Sequence, residues 1–433
     1  MRIACKFGGT SLADSEKIRG VIRIIERDPN RKLIVVSAPG KRTSDDRKIT
    51  DLFYLAHETA KNNLDHQAIL KLIRERFEEI RNNLQLDLDL DEPFSTIAEK
   101  IGFEKADYAA SRGEYLNGLL IAKAMQADFV DPFDHIFFDK EGYLDSKKTY
   151  VSLGKALNHD RRAVIPGFYG QDTEGKVKTF SRGGSDITGA IVARAAGVRL
   201  YENWTDVSGL LMADPSIVKN AKPIEEVTYM ELRELSYMGA QVLHEEAVFP
   251  VRETGIPIVI KNSLRPEDRG TTIAASRESQ NLPVVGVAGK KNFEAVFVQK
   301  ALMNKEIGFA RKLLGIFESF GISVEHIPSG IDSMSVIVSK SSLESHREKL
   351  LDIIQTQLCP DVLSIDGDLA LIAVVGSGMA HHCGTAAKLF SALANAGVNI
   401  RLIDQGASEL TIIIGVTNDD FSLAIQTIYK TFS

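Results

Sequence analysis

The sequence predicts an α/β protein in two parts: a layered strand–helix unit over residues 1–280, then a tandem of small α+β modules. Three observations predict this. Apolar runs of strand length at residues 3–7, 33–36, 163–165, 198–201 and 256–260 alternate with helical periodicity or glycine turns. The 433 residues exceed what one core organises, so several domains are expected. Beyond a polar connection at 277–281, a strand–helix–strand–strand–helix pattern occurs twice, about 75 residues apart.

Each element has a local reason. Residues 3–7 form a short buried strand ending at Gly8-Gly9-Thr10-Ser11. Asp14 or Ser15 then caps a helix with Ile18, Val21, Ile22 and Ile25 on one face. Residues 33–36 are β-rich and stop at Ser37-Ala38-Pro39-Gly40; strand, helix and strand at this spacing imply parallel pairing through a right-handed crossover. Residues 49–83 are helical in pattern, and the acidic stretch 86–91 reads as a surface loop. Alternation resumes from about 129 to 260. In the C-terminal part, strands are expected at 293–299, 322–328 and 333–338, with helices at 306–320 and 343–356. A second set follows: strand 369–375, helix 383–396, strands 398–403 and 409–414, and helix 418–430. This second copy lacks a closing strand, and residues 283–287 offer one. The first module, 293–367, is therefore expected to be inserted within a second made of 283–288 with 368–433.

Composition narrows the function classes. Hydrophobic residues are 44% and charged residues 25%, as in globular proteins, and 52 basic against 58 acidic residues give a net charge of −6. That balance supplies no electrostatic reason for nucleic acid or an anionic membrane as partner. No stretch approaches the roughly 18–20 apolar residues of a membrane span. Cys5, Cys359 and Cys383 are too scattered for a disulfide framework or a zinc site. The N-terminus runs directly into a charged strand, without the apolar segment of a signal peptide, so a reducing, cytoplasmic location is expected.

Two glycine turns carry the chemistry. In Lys6-Phe7-Gly8-Gly9-Thr10-Ser11 a lysine stands at a strand end beside backbone N–H groups at a helix start, an anion cradle with one full positive charge. A tight βα turn with a snorkelling lysine has the same spacing, and no Walker A loop is present. In Phe180-Ser-Arg182-Gly-Gly-Ser-Asp186, Arg182 suits bidentate recognition of carboxylate or phosphate, and Asp186 can orient a cation, either Lys6 or Mg²⁺. A structural Arg–Asp pair would read alike. Ser111-Arg-Gly-Glu114 stands where a helical region opens, and Trp204-Thr205-Asp206 follows a strand, where α/β sheets hold ligands. Gly376-Ser-Gly-Met-Ala-His381 imitates a dinucleotide fingerprint, but His381 replaces the third glycine. His381-His382-Cys383 would point apart on a helix start, so no protein metal site is expected.

In this order Lys6-Phe-Gly-Gly-Thr-Ser, Ser111-Arg-Gly-Glu114, Phe180-Ser-Arg-Gly-Gly-Ser-Asp186, Trp204-Thr-Asp206 and Met238-Gly-Ala-Gln-Val-Leu-His244 resemble the aspartate kinases over essentially the whole chain. The resemblance implies an amino-acid-kinase domain, a three-layer sandwich of the carbamate-kinase type, followed by two ferredoxin-like ACT domains. It implies the monofunctional form, without a homoserine dehydrogenase. The implied reaction is ATP- and Mg²⁺-dependent phosphorylation of the L-aspartate side chain to 4-phospho-L-aspartate, on the way to lysine, threonine, methionine and diaminopimelate. By matching position, Lys6 would stabilise the transition state, with Phe7, Gly8 and Gly9 at the phosphates and Thr205, Asp206, Leu211 and Gln241 at the nucleotide. Arg182 would hold the substrate α-carboxylate and Glu114 its ammonium, Asp186 would orient Lys6 or that ammonium, and Ser37 and Thr50 would lie near the acceptor carboxylate.

The resemblance also implies feedback control by an amino acid, lysine before threonine. Its site would be built from Met303, Glu306, Gly308, Phe309, Ala310, Ser323, Val324, Glu325 and Ser329 where ACT units of a homodimer or dimer of dimers meet. The chain departs from the family pattern at Gln241 and Glu245, where relatives have lysine and proline, and at Leu211 and Ser216, where they have tyrosine and arginine. These departures touch nucleotide contacts and motivate an alternative, a catalytically weak amino-acid sensor. Intact Lys6, Glu114, Arg182 and Asp186 argue for the enzyme. A relative acting on glutamate, acetylglutamate or UMP fits the ACT pair less well.

Overall fold

The computed structural model describes residues 1–181, 183–240, 243, 245–277 and 282–433. Two compact units emerge: Met1–Leu210 with Pro223–Leu232 and Gln241–Arg277, and Leu211–Lys222 with Arg233–Ala240 and Glu278–Ser433. The second unit takes in Leu211–Lys222 because Leu211, Ala213, Ile217, Val218 and Ala221 pack into a C-terminal apolar core.

The first unit opens with β1 (Ile3–Phe7), α1 (Ser15–Glu26), β2 (Arg31–Val36), α2 (Ile49–Lys61), α3 (Gln67–Asn83), α4 (Asp91–Lys100) and α5 (Ala106–Met125). It continues with β3 (Asp128–Phe129), α6 (Ser146–Ala156), β4 (Ala163–Pro166), the hairpin β5 (Tyr169–Gln171) and β6 (Val177–Thr179), α7 (Gly184–Ala195) and β7 (Leu200–Thr205). Then come β8 (Glu226–Thr228), α8 (Tyr229–Tyr237), which passes into the second unit from Arg233 on, α9 (Phe249–Arg252), β9 (Ile258–Asn262) and β10 (Thr271–Ala274). The Asp14 side chain caps α1 by accepting from the Lys17 N–H at 2.9 Å, and the helix buries Ile18, Val21, Ile24 and Ile25.

Among the described residues the sheet order is β3-β4-β2-β1-β7-β9-β10-β8, parallel except where β10 runs against β9. Strand alternation gives β1 two different faces. Cys5 and Phe7 join Trp204 and the apolar faces of α1 to α5 in one core, whereas Lys6 points to α7. Under that core Glu202 accepts from Arg31 at 2.8 and 3.1 Å and from the Trp204 indole at 2.9 Å, and Arg31 lies over the Trp204 ring.

The second unit contains β11 (Gly286–Gln299), α10 (Phe309–Ser319), β12 (Ser333–Ser339), α11 (Lys340–Leu343), α12 (Arg347–Leu358), β13 (Val362–Val375), α13 (Thr385–Asn395), β14 (Leu402–Gln405), β15 (Thr411–Val416) and α14 (Phe421–Phe432). One antiparallel sheet, β12-β11-β13-β15-β14, serves both modules. β11 and β13 are both long: Phe293–Gln299 pairs with the first half of β13 under the core of α10 and α12, and Gly286–Lys290 with its second half under that of α13 and α14. A register shift between Lys290 and Ala295 separates the halves. The strand expected at 322–328 is reduced to bridges, His326 to Ile337 and Ser329 to Met334. Gly376 and Gly378 find a structural use, since a side chain at either would strike the backbone of Leu282 or Pro283.

Glu202→Ala leaves the half-buried Arg31 guanidinium without its carboxylate, so unfolding stability should fall by about 2–3 kcal/mol, with a smaller loss for Glu202→Gln. Denaturant titration followed by Trp204 fluorescence measures both.

Candidate active site

Four loops at strand ends and helix starts converge in the first unit. β1 ends at Gly8, whose N–H donates to the Trp204 carbonyl at 3.0 Å. Gly9 and Gly40 touch through their backbones: the Gly40 N–H donates to the Gly9 carbonyl at 2.8 Å, and a Cβ on Gly40 would lie 2.6 Å from Gly9 C. Neither turn accepts a side chain there, and both leave backbone free to face a ligand. The buried Arg76 guanidinium braces this pair from below, donating to the carbonyls of Ala13 at 2.9 Å and Gly40 at 2.7 Å and to Asp46 at 2.6 Å. Arg42 and Arg76 hold the Asp46 carboxyl well below the usual range, despite its partial burial.

Lys6 is buried at the mouth of this cradle, and its Nζ lies 2.6 Å from Asp186 Oδ1 in the first turn of α7. That helix begins at Gly183, whose φ of 60° is left-handed. The two glycine turns found separately in the sequence therefore meet through one ion pair. Asn203 also donates to Asp186 Oδ1, at 2.8 Å. Sequence reasoning missed Asn203, which reads as an ordinary strand residue.

Ser111–Glu114 does not open a helix. It lies in the second turn of α5 with all four residues buried, because the helix begins at Ala106. Gly113 lets α5 approach β2: a Cβ there would stand 2.8 Å from Ala38 Cβ. Glu114 is thereby pressed toward the end of β2, and its Oε2 is buried with no hydrogen-bond partner among the described residues. Burial pushes its carboxyl up from 4.5 to about 8, although the Ala38 N–H and Arg112 both favour its charge. One turn on, Asn117 donates to the Ser37 carbonyl at 2.7 Å and leaves its Oδ1 unpaired among the described residues. Arg112 is held by structure: it donates to Ser111 Oγ and the Tyr108 carbonyl and lies over the rings of Tyr108, Tyr115 and Tyr169.

Ser37 is half-buried where β2 leaves the sheet, and Thr50 sits half-buried in the first turn of α2. Phe168, another residue that sequence reasoning passed over, holds a left-handed φ of 84° and donates its N–H to Thr188 Oγ1 at 3.0 Å. With Ser181 and Ile187 it lines a hollow of about 710 Å³ beside the start of α7. Thr205 ends β7, its carbonyl receiving the Ser263 N–H at 2.8 Å, and Asp206 next to it is exposed. Leu211 belongs to the second unit, where it packs against the core that holds Ala213 and Val218. Arg182 and Gln241 lie outside the described residues.

The expected effector residues fall in the second unit. Gly308, at φ 82°, precedes α10, while Met303 and Phe309 are buried in the first module's core and Ala310 is exposed. Glu306 accepts from Lys300 at 2.8 Å and Lys312 at 2.9 Å, which hold its carboxyl below the usual range. Ser323, Val324 and Glu325 line a cavity of about 1090 Å³ with Arg311 and His326. Glu325 accepts from the Tyr237 hydroxyl at 2.6 Å, and Ser329 bridges to Met334.

Comparison with known proteins identifies the family and the fold. The profile of the amino acid kinase family matches residues 1–262, and that of an ACT domain matches 372–432. Aspartokinase 3 of Bacillus subtilis is 39% identical, across 99% of this chain and 98% of its own. Chloroplastic aspartokinase 1 of Arabidopsis thaliana is 30% identical, across 99% and 79%. Among solved structures, Clostridium acetobutylicum aspartate kinase superposes with a TM-score of 0.92 at 49% identity, covering 100% of this chain and 99% of that one. Escherichia coli aspartokinase III, in complex with aspartate and ADP, superposes with a TM-score of 0.75 at 25% identity, covering 100% and 99%. The same enzyme in complex with lysine and aspartate gives 0.74.

Glu114 supplies a pH test that needs no ligand. Unfolded, its carboxyl ionises near 4.5; folded, it keeps its proton to about 8. Between these values the native state binds the extra proton, so this group's contribution is full below 4.5 and is lost as pH rises through about 8. The slope is at most about 1.4 kcal/mol per pH unit. The unfolding free energy of the wild type minus that of Glu114→Gln should fall across this window in parallel denaturation series.

Proposed function

Since the chain belongs to the amino acid kinase family, and within it to the aspartokinases, we propose that it transfers the γ-phosphoryl group of ATP to the side-chain carboxylate of L-aspartate. The product is 4-phospho-L-aspartate. The observation that carries this reading is the Lys6–Asp186 pair at 2.6 Å in the mouth of a glycine-lined cradle. A carboxylate attacking a γ-phosphate approaches like charge, so the protein's task is to neutralise the transferring group and align the reactants. Lys6 places a fixed cation at that point, and the backbone of Phe7, Gly8 and Gly9 faces the phosphates.

The remaining roles follow the chemistry of the side chains. Glu114, a carboxyl whose outer oxygen lacks a partner among the described residues, receives the substrate ammonium and ionises as it does so. Arg182 takes the α-carboxylate, and Ser37 and Thr50 flank the acceptor carboxylate. Thr205, Asp206 and the segment containing Gln241 serve the nucleotide. Mg²⁺ fits as an ion carried on the ATP phosphates, which needs one or two protein carboxylates at most; Asp186 and Asp206 are the carboxylates at hand.

We assign residues 1–280 to catalysis, 293–367 to the first ACT domain, and 283–288 with 368–433 to the second. The pairing of Gly286–Lys290 with Leu371–Val375 supports the nested division. The activity starts synthesis of lysine, threonine, methionine and diaminopimelate in the cytoplasm; no helix among the described residues is long and apolar enough to cross a membrane. Lysine, before threonine, is the feedback inhibitor, bound near Gly308 and Ser323–Glu325 where the ACT domains of two subunits meet.

Mg-ATP-dependent acyl-phosphate formation, trapped with hydroxylamine, should occur with aspartate and not with glutamate; the reverse preference would overturn the assignment. In the same assay Lys6→Met should lower kcat by about 100–1000-fold while leaving nucleotide affinity nearly unchanged. Millimolar lysine should inhibit wild-type activity, with a coupling of about 5–150-fold, and should fail to inhibit Gly308→Asp. Equal inhibition of both forms would remove the effector from that loop.

A further inference from the structure

We propose that Asn203 is a positioning residue for phosphoryl transfer: acting through Asp186, it fixes where the Lys6 ammonium stands. The proposal rests on the role given to Lys6 above. Its basis is strand register. β1 and β7 run parallel with Lys6 directly opposite Asn203, so both side chains leave the sheet on the same face, toward α7. The neighbours Cys5 and Glu202 leave on the other face and meet each other there.

On the α7 side three atoms converge on one aspartate. Lys6 Nζ lies 2.6 Å and Asn203 Nδ2 2.8 Å from the same oxygen, Asp186 Oδ1. The Tyr201 hydroxyl, two residues before Asn203 on the same face, donates to the Asp186 carbonyl at 3.1 Å. Gly189 makes that approach feasible, since a side chain there would collide with the Tyr201 ring. Tyr201 therefore anchors the backbone of the first turn of α7, and Asn203 anchors its carboxylate.

The chemistry of an amide explains why asparagine suits the position. Lys6 alone offers Asp186 an ion pair on a long flexible stem, and the Asp186 side chain retains 18% exposure, enough to swing toward water. A neutral, buried donor at 3% exposure holds the carboxylate still without competing for the lysine proton or repelling the aspartate. A carboxylate at position 203 would do both. An apolar side chain would leave the Asp186 carboxylate with the lysine alone, and the ammonium would lose its fixed place.

The test measures kcat, both KM values and the thermal midpoint for Asn203→Leu and the near-isosteric Asn203→Asp, each alone and in an Asp186→Asn background. Each single variant should lower kcat by about tenfold or more, with both KM values within about twofold. In the Asp186→Asn background the further fall should vanish, because Asn203 then has no carboxylate to hold. Wild-type kcat in either folded variant, or an undiminished loss in the Asp186→Asn background, overturns the proposal. Should Asn203→Leu not fold, Asn203→Asp carries the same comparison. Lys6→Met is assayed alongside: if it stays active, the Lys6 reading fails, whereas an inactive Lys6→Met with normal Asn203 variants defeats this inference alone.

Discussion

A lysine at the end of a buried strand is expensive to fold, because the ammonium gives up water and must be repaid by a partner held close. Here the partner is Asp186, and much of the first unit is arranged to bring it there. α7 must start at Gly183, in a left-handed conformation, for its first turn to reach β1. β7 must pair in register with β1 for Asn203 and Tyr201 to meet that turn. The opposite face carries a second charged system, Arg31 on β2 with Glu202 on β7, and Glu202 is the strand neighbour of Asn203. Since a one-residue slip would exchange the two faces, both charge systems fix the register jointly.

The glycine turns are what the sequence displays most openly, because the demand for backbone access limits which residues can stand there. The reading of strands 3–7 and 33–36 and of the helix after Asp14 rests on periodicity that tertiary packing reinforces. Ser111–Glu114 was harder to see. A helix buried on nearly all sides has no polar face to mark its start, so α5 reads as opening five residues late. Asn203 and Phe168 are invisible for another reason: one depends on strand register and the other on a backbone angle, and neither leaves a local pattern. The capture of 211–222 by the second unit is likewise a matter of tertiary contact alone.

In the second unit the repeat is legible because each module keeps its own helices and core. What periodicity conceals is that the modules share strands. β11 and β13 each run through both halves, and the shift after Lys290 lets their two ends serve different cores. The strand at 322–328 is weak for a physical reason as well: it lies at an edge, next to β12, and contains Pro328, which has no N–H to give.

The shared strands also impose an order on synthesis. A chain leaving the ribosome makes Gly286–Lys290 before the first module, yet the partner for that segment, Leu371–Val375, is translated only after the first module's strands and helices are complete. The first module can close while the ribosome is still at work, whereas the second must keep one nascent strand uncovered until Leu371–Val375 has been made. For that interval an apolar segment containing Val285 and Val287 has an unpaired edge, the kind of surface that chaperones hold and neighbouring nascent chains find.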